Sequence, residues 1–323
     1  MKTISVAIPA YNEEANLPEL VDRLTSVFRS LPEYRFEVVI CENGSTDGSA
    51  SYLRQLVAQD SRFTVIQLIR NFHMEGGMVA ALAHVSGDAC VIMSADLQDP
   101  PELIPQLVHH WECGADNVYT VITRRHGEGL LRRSAASIFY YLLSKVSDHE
   151  VPRNASDFRL VSRRAYKAFN SLPERVKVVR STWAWLGFPS ASLSYERLPR
   201  RAGKSSFNPF VTAPFAFRAL LAGSFKILRG FSIIGFLLFA LSIAAAIGTT
   251  LAVLILGVPF PGFGTVAVVG LLLFSLLFLF LGVIAEYLSV VYEEVRQRPP
   301  FIVSTIITSA TEGEANDRPS GLT

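Results

Sequence analysis

Residues 94–98, Ser-Ala-Asp-Leu-Gln, place acidic and amide side chains directly after an apolar run at 89–93. Such a run is typical of a buried parallel strand, and the carboxyl ends of these strands form the ligand-binding edge of an open α/β sheet. Because magnesium and manganese prefer oxygen ligands, the segment predicts a divalent-cation site. Asp96 would be its main ligand and Gln98 a supplementary carbonyl oxygen. The alternative is that Asp96 is only an acid at the N-terminus of the helix that follows.

Two further polar segments follow predicted strands nearer the N-terminus. Residues 9–14 read Pro-Ala-Tyr-Asn-Glu-Glu, and residues 42–48 read Glu-Asn-Gly-Ser-Thr-Asp-Gly. Their side chains could contact a nucleotide base or ribose, or they could form ordinary helix caps and turns. Three polar segments at successive strand ends predict one shared ligand site. Asp99 instead fits a helix-capping role before the prolines at 100 and 101.

The elements that must position these segments alternate between strand and helix over residues 1–125. Short apolar runs predict strands at 4–8, 36–41, 63–68, 89–93 and 117–123, and helical patterns lie between them at 17–30, 49–59, 77–84 and 102–113. This alternation predicts an α/β fold with a doubly wound, mostly parallel sheet and helices on both faces. Beyond it we predict a helix at 130–145, a polar loop up to Asp157 and a helix near 163–170.

Residues 231–285 contain no Asp, Glu, Lys or Arg. Because a membrane-spanning helix needs about 20 apolar residues, this stretch predicts two transmembrane helices, at 231–256 and 265–287. A break rich in glycine and proline separates them at 257–264. A buried helical hairpin of a soluble protein is the alternative. Basic residues flank the stretch, so we expect both termini and the first domain to be cytoplasmic; they are Arg218, Lys226, Arg229, Arg296 and Arg298.

These patterns divide the chain into four parts. They are a domain at 1–207, a juxtamembrane interfacial helix at 208–229, two transmembrane helices within 230–290, and a cytoplasmic tail at 291–323 whose end we expect to be disordered. The N-terminus carries no signal-peptide pattern. Cys41, Cys90 and Cys113 lie far apart, which is typical of reduced thiols in a cytoplasmic domain. The net charge of +2 gives no indication of a nucleic-acid partner, and we expect none.

The polar segments together resemble a known group of enzymes. With Arg70-Asn71-Phe72, the run from Asp157 to Arg163 and the run at 202–207, they are similar to family 2 glycosyltransferases of the polyprenyl-phosphate type. This group includes dolichyl-phosphate mannose synthases and bacterial bactoprenol glucosyltransferases. The resemblance covers about residues 3–305, and the bacterial branch with two transmembrane helices has the closest layout. It implies a fold of the GT-A type.

The resemblance also implies a reaction and its partners. A sugar would move, with inversion, from a nucleotide-sugar donor, by likeness UDP-linked, to undecaprenyl phosphate or a related polyprenyl phosphate at the cytoplasmic leaflet of a bacterial inner membrane. Mg²⁺ or Mn²⁺ would be the cofactor, and the assembly would be a homo-oligomer, a tetramer by analogy. The lipid-linked sugar would serve modification of a cell-surface glycan.

Roles for individual residues follow from the same resemblance. Asp157 would orient or assist the attacking phosphate, Arg159 would bind phosphate, and Asp96 would complete the catalytic set. An ion pair of Asp157 with Arg159 or Arg163 that braces the loop is the alternative. The donor contacts would be Pro9, Tyr11, Glu13, Glu42, Asn43, Ser45, Asn71, Ser94, Ala95 and Asp96. Arg124, Arg125, Arg201 and Lys204 would bind the acceptor phosphate, or they are scattered surface cations.

The chain departs from the family pattern at three places. Ser94 stands at the first acid of the usual Asp-x-Asp pair, Glu42-Asn43 replaces paired aspartates, and His73 stands where relatives typically carry Gly. These departures favour, as an alternative, a catalytically impaired membrane homologue that binds nucleotide. A processive polysaccharide synthase is a weaker alternative, because the chain has no Arg-Trp pair of the usual acceptor motif.

Overall fold

The computed structural model describes residues 1–125, 154–174, 179–197 and 262–309, with isolated residues between 233 and 255. The chain divides into two compact units. The first comprises 1–140, 149–206 and 297–323, and the second comprises 141–148 and 207–296. The predicted helices at 130–145 and 208–229 lie outside the described residues, as does most of the predicted span at 231–256.

Eight strands of the first unit form one sheet in the order β7-β5-β6-β4-β1-β2-β3-β8. Strands β4, β1, β2 and β3 are parallel, β6 runs antiparallel between β4 and β5, β7 is parallel to β5, and β8 is antiparallel to β3. The strands are β1 Lys2–Ala10, β2 Tyr34–Glu42, β3 Phe63–Leu68, β4 Ala89–Ile92, β5 Asn117–Arg125, β6 Ala155–Ser162, β7 Ser190–Arg197 and β8 Val303–Ile307.

Helices cover both faces of this sheet. They are α1 Leu17–Ser30, α2 Ser49–Gln59, α3 His73–Ala83, α4 Ile104–Glu112 after a 3₁₀ turn at Pro101–Leu103, α5 Arg163–Ser171 and α6 Val179–Leu186. Apolar side chains of α1, α2 and α4 belong to one core cluster, and those of α3, α5 and α6 belong to the cluster on the other face. A strand buried on both faces needs a continuous apolar run, which is why β1 and β4 carried a clear sequence signal.

The predicted elements of the first 125 residues are confirmed, with small shifts at their ends. The bounds of α1, α2 and β3 match the predictions, and α3 begins four residues earlier, at His73. The predicted polar loop up to Asp157 lies mostly outside the described residues, and it is wrong at its end, because Ala155, Ser156 and Asp157 lie within β6. Ser156 and Arg159 of this strand are buried among apolar residues. These polar residues interrupt the apolar pattern from which a strand is predicted. Strands β7 and β8 and helix α6 were not predicted; both strands lie at the sheet edges.

A seventh helix, α7, extends over Phe263–Val295 in the second unit and includes the predicted span at 265–287. The structure describes its side chains without interruption only over 276–292. Among the described residues, no helix is found that is long and apolar enough to cross a membrane.

Gly44 lets the loop after β2 lie against the loop after β3. Its φ is +69°, and a Cβ built there would lie 2.6 Å from the carbonyl carbon of Arg70 and 2.8 Å from the nitrogen of Asn71. Real Cβ contacts do not approach backbone so closely, and only glycine adopts this conformation without strain. Gly44 therefore sets the distance between two loops at the edge that carries the polar segments.

We expect Gly44→Ala to lower the free energy of unfolding more than Gly187→Ala does. Gly187 has a similar φ of +66°, but the nearest atom to its built Cβ is 3.8 Å away. Both variants carry the backbone strain, whereas only Gly44→Ala adds overpacking, which typically costs about 1–3 kcal/mol. Urea unfolding of the two purified variants measures the difference, and equal losses would contradict the close approach of the loops.

Candidate functional site

The predicted polar segments meet at one edge of the sheet. Register pairs Ala10 with Glu42 at the ends of β1 and β2, and β4 ends beside β1. Two loops at this edge are also hydrogen-bonded to each other. The amide of Asn12 donates to Oγ of Ser45 at 3.1 Å, and the amide of Glu13 donates to Oγ of Ser49 at 3.0 Å. Tyr11, between them and β1, is 41% exposed.

The side chain of Asn43 connects the end of β2 to the loop after β3. It is buried, and its Oδ1 accepts from the amide of Phe72 at 2.9 Å while its Nδ2 donates to the carbonyl of His73 at 2.7 Å. Neighbouring Glu42 is also buried and accepts from the amide of Ser45 at 2.5 Å. The amide group of Asn43 thus holds the loop in place, and its contact with a donor stays a prediction.

The loop after β3 contains a residue in a conformation that favours glycine. His73 has a φ of +62°, and its amide donates to Oδ1 of Asn71 at 2.7 Å. This backbone explains why the glycine that the resemblance places there would fit. A non-glycine residue is accommodated because Asn43 and Asn71 both bind the backbone of His73.

The segment predicted to hold a cation is buried and strained. Asp96 is buried, and its Oδ1 accepts from the amide of Gln98 at 3.2 Å. Between them Leu97, also buried, has a φ of +58°. Such backbone conformations cost about 1–3 kcal/mol each and cluster at functional sites.

The donor set of this segment suits a cation that also binds a ligand. No group of three or more His, Cys, Asp or Glu residues that could hold a metal occurs in the described part of the chain. Magnesium is commonly bound through one or two carboxylates together with substrate phosphates. Asp96 and Gln98 fit that arrangement, in which a diphosphate supplies the remaining oxygens.

Asp99 does not cap a helix, so the prediction of a capping role is wrong. The 3₁₀ turn that follows has Pro100 at its N-cap and no side-chain hydrogen bond there. The buried carboxylate of Asp99 instead accepts from the hydroxyl of Tyr195 at 2.5 Å and lies 3.7 Å from Nε of Arg197. Burial raises the pKa of Asp99, although Arg197 and Tyr195 oppose that effect. The two partners come from β7, a strand absent from the prediction.

Asp157 forms an ion pair, but its partner is neither Arg159 nor Arg163, the two partners that the sequence suggested. Its two carboxylate oxygens accept from Nε and the Nη2 of Arg180 at 2.8 and 2.6 Å. Arg163 instead pairs with Asp88 at 3.2 Å. Burial alone would raise the pKa of Asp157, but Arg180, Arg159 and Arg197 outweigh it and lower that pKa below its ordinary value. The carboxylate is therefore ionised at neutral pH.

Arg159 is a buried cation beside this pair. It is 3% exposed, donates to the carbonyl of Ser156 at 3.0 Å, and its guanidinium carbon lies 5.9 Å from the centre of the Trp183 ring. Burial lowers its pKa to about 10, so it stays charged at neutral pH. Its Nε has no hydrogen-bond partner among the described residues. A buried, unsatisfied charged donor is unusual in proteins and is suited to binding an anion.

The remaining candidates are placed less completely. Arg124 and Arg125 lie at the end of β5, in register with Glu196 and Arg197 of β7, but their side chains are outside the described residues. Arg201 and Lys204 also lie outside them. Among the donor candidates at the edge, Pro9 pairs with Cys41 in the sheet, Ala95 is buried and Ser94 is half-buried.

Comparison with known proteins now identifies the family. The sequence profile described as Glycosyl transferase family 2 matches residues 5–170. The chain belongs to this family. It is a glycosyltransferase, and its α/β fold with a mostly parallel sheet is that of the GT-A type, as predicted.

Relatives match the glycosyltransferase over nearly its whole length. The prophage-derived bactoprenol glucosyl transferase of Shigella flexneri is 34% identical over 302 residues, which is 93% of this chain and 97% of the relative. A prophage bactoprenol glucosyl transferase homolog of Escherichia coli is 31% identical over 303 residues, 94% and 99%. Glucosyl-3-phosphoglycerate synthase of Mycobacterium tuberculosis, solved with Mn²⁺, UDP-glucose and phosphoglyceric acid, gives a TM-score of 0.49 at 22% identity, over 68% of this chain and 79% of that structure.

Glu75 is a titratable residue of the candidate site that no sequence motif indicated. It lies half-buried in the first turn of α3. Burial and repulsion from Asp157 raise its pKa to about 7, although Arg180 opposes them. Its position three residues after the Arg70-Asn71-Phe72 motif is the sequence feature that could have indicated a place in the site. The site therefore contains a carboxyl group that changes charge near neutral pH.

We expect Glu75→Gln to alter how the stability of the glycosyltransferase depends on pH. The pKa of Glu75 is about 7 in the folded state, against an ordinary value of 4.5. Folding then favours the protonated form, so its stabilising contribution is complete below pH 4.5 and is lost as the pH rises toward 7. The wild type should lose roughly 1–3 kcal/mol across this interval relative to Glu75→Gln.

Chemical denaturation at several pH values between 4.5 and 8 measures this difference. Glu33→Gln, at an exposed position outside the site, is the control and should follow the wild type. If Glu75→Gln also ran parallel to the wild type throughout, Glu75 would not titrate as the structure indicates.

Proposed function

We propose that the chain transfers one sugar from a UDP-linked donor to a polyprenyl phosphate, undecaprenyl phosphate in bacteria, with inversion at the anomeric carbon. The observation that carries the proposal is the extent of the match to bactoprenol glucosyl transferases, 34% identity over 93% of this chain. The geometry supports it, because the Asp96 segment directly follows β4, and Asp157 and Arg159 lie on β6, which pairs with β4.

The donor side of the reaction needs charge stabilisation. A departing nucleoside diphosphate accumulates negative charge, which preorganised cations stabilise best in a site that excludes water. Asp96 and Gln98 would hold Mg²⁺ or Mn²⁺, which would neutralise the diphosphate when bound. Burial of Asp96 and Leu97 keeps water from this side of the segment.

The acceptor side needs orientation more than proton removal. A phosphate monoester has a second pKa of about 6 and is largely dianionic at neutral pH, so it is already a nucleophile. Asp157 is paired with Arg180 and is a weak base, which favours an orienting role over general-base catalysis. The unpartnered Nε of Arg159 is available to a phosphate oxygen.

A catalytically impaired homologue is the second candidate. Ser94 in place of the first acid favours it, as does the lack of any group of three metal-binding side chains in the described residues. Buried Asp96 and the charged cluster around Asp157 favour the enzyme, because burying charges costs desolvation free energy, which a homologue without activity would have no reason to retain.

We expect the protein, reconstituted with undecaprenyl phosphate in liposomes, to form a single lipid-linked monosaccharide. A panel of UDP-, GDP- and dTDP-sugars supplied with Mn²⁺, Mg²⁺ or EDTA identifies the donor, and mass spectrometry identifies the product. EDTA and Asp96→Asn should each lower the rate about 100-fold or more, because each removes charge stabilisation of the leaving group.

Asp22→Asn is the matched control, because Asp22 is an exposed carboxylate of α1 outside the site. Its rate should equal that of the wild type. Ser94→Asp restores a second carboxylate, so it should reach half-maximal rate at a lower manganese concentration. No product with any donor would favour the impaired homologue, and a rate indifferent to EDTA would disprove the metal site alone.

We also propose that the chain is anchored in the bacterial inner membrane by two helices within 230–290, with both termini cytoplasmic. Support comes from the uncharged stretch at 231–285 and its basic flanks, and from the acceptor, whose lipid tail stays in the bilayer. The homo-oligomer implied by the resemblance stays a prediction.

Cysteine labelling of intact cells with a membrane-impermeant reagent tests this placement. In a Cys113→Ser background, which removes the exposed native thiol, Gly262→Cys should be labelled from outside. Ser309→Cys should be labelled only after permeabilisation. Labelling of both, or of neither, before permeabilisation would reject the proposed topology.

A further inference from the structure

The ion pair between Arg180 and Asp157 has the geometry of a fixed orienting contact. It is bidentate, with donor–acceptor distances of 2.8 and 2.6 Å, and the side chains are 36% and 26% exposed. Two parallel hydrogen bonds restrict the carboxylate to one plane, as a single contact does not. Arg180 thus fixes the orientation of Asp157 and is one of three arginines that favour its ionised form.

Arg180 is held toward Asp157 by the aromatic packing of its helix. It is the second residue of α6, whose Val179 and Trp183 are buried. The ring of Trp183 stacks on Phe169 of α5 at 4.5 Å, with 15° between the planes. The same indole lies against Arg159. The buried face of α6 therefore supports two of the cations that surround Asp157.

Besides Arg180, charged groups of its own strand and of three other elements act on Asp157. Arg159 of β6 and Arg197 of β7 favour its ionised form, whereas Glu75 of α3 and Asp99 of the segment after β4 repel it. Without Arg180, two cations would remain beside three carboxyl groups. An incoming phosphate dianion would then meet a more negative site.

We propose that Arg180 is a positioning residue for the acceptor: through Asp157 it keeps that carboxylate ionised and oriented, and it leaves Arg159 available to the acceptor phosphate. This inference rests on the proposed transferase function and adds to it a residue that neither the motifs nor the spacing identified. The physical basis is competition, since an unpaired Asp157 would draw Arg159 to itself.

Kinetics of Arg180→Gln and Arg180→Lys test the proposal. With the donor found in the liposome assay, Arg180→Gln should raise the acceptor KM about 10- to 100-fold, the effect of losing a charged hydrogen-bonding group, and leave the donor KM within about twofold. Removing the cation raises the pKa of Asp157, so the acidic limb of the pH–rate profile should move to higher pH. Arg180→Lys keeps the charge and should restore the position of that limb.

Arg62→Gln is a matched control. Arg62 and Asp60 form a similar pair, with side chains 36% and 25% exposed, at the opposite end of β3. The kinetics of Arg62→Gln should equal those of the wild type. The proposal would be overturned if Arg180→Gln left both the acceptor KM and the pH–rate profile unchanged. It would also be overturned if Arg180→Gln and Arg180→Lys raised the acceptor KM equally and moved the acidic limb of the profile to the same pH. If Arg180→Gln fails to fold, Arg180→Lys should still raise the acceptor KM, because a lysine cannot form the bidentate contact, whereas Arg62→Lys should not. An unchanged acceptor KM in Arg180→Lys would then overturn the proposal.

A measurement without catalysis separates this inference from the transferase proposal. Carboxyl ¹³C NMR of aspartate-labelled protein, with the Asp157 signal assigned by its loss in Asp157→Asn, follows the titration of that group directly. We expect the pKa of Asp157 to be higher in Arg180→Gln than in the wild type and unchanged in Arg62→Gln. A wild type that forms no product would refute the transferase, whereas an unshifted Asp157 titration would refute the role of Arg180.

Discussion

The site depends on the parallel pairing of β1 with both β2 and β4. This pairing sends the chain to opposite sides after β1, with β2 and β3 on one side and β4 on the other. A crevice forms at such a switch point, outside the carboxyl ends of the strands. The polar segments that begin at residues 9, 42 and 94 meet there because their strands end at the same edge, although they are far apart in the chain.

Charge balance is the second constraint on this edge. Asp96, Asp99, Asp157, Arg159 and Glu75 are all at least half-buried, and isolated buried charges are expensive. The structure compensates them by pairing: Arg180 with Asp157, and Arg197 and Tyr195 with Asp99. Nε of Arg159 and Nε of Arg197 have no hydrogen-bond partner among the described residues. Asp157 and Asp99 are therefore paired before a ligand binds, and the two unpartnered guanidinium nitrogens favour an anion as the ligand.

Prediction succeeded where a signal was local and repeated. The strands of the parallel core carry continuous apolar runs, and the helices that cover them begin and end at turn residues, so their order followed from the sequence. It failed for β6, whose Ser156 and Arg159 are buried polar residues, and for β7 and β8, which lie at the two edges of the sheet, where mixed composition is tolerated. The residue types in edge strands and in strands of the site depend on tertiary contacts with neighbouring elements, and a local sequence pattern does not reveal those contacts.

The sequence by itself determined the alternating α/β architecture, the acid at position 96 after a buried strand and the family to which the chain belongs. The tertiary structure decided which charges face one another. Asp157 meets Arg180, 23 positions away along the chain, rather than Arg159 or Arg163, and Asp99 meets β7 rather than a helix end. The reason is physical: an alternating strand directs residues 157 and 159 to one face, but the partner on that face is set by helix α6, which is positioned by aromatic packing against α5.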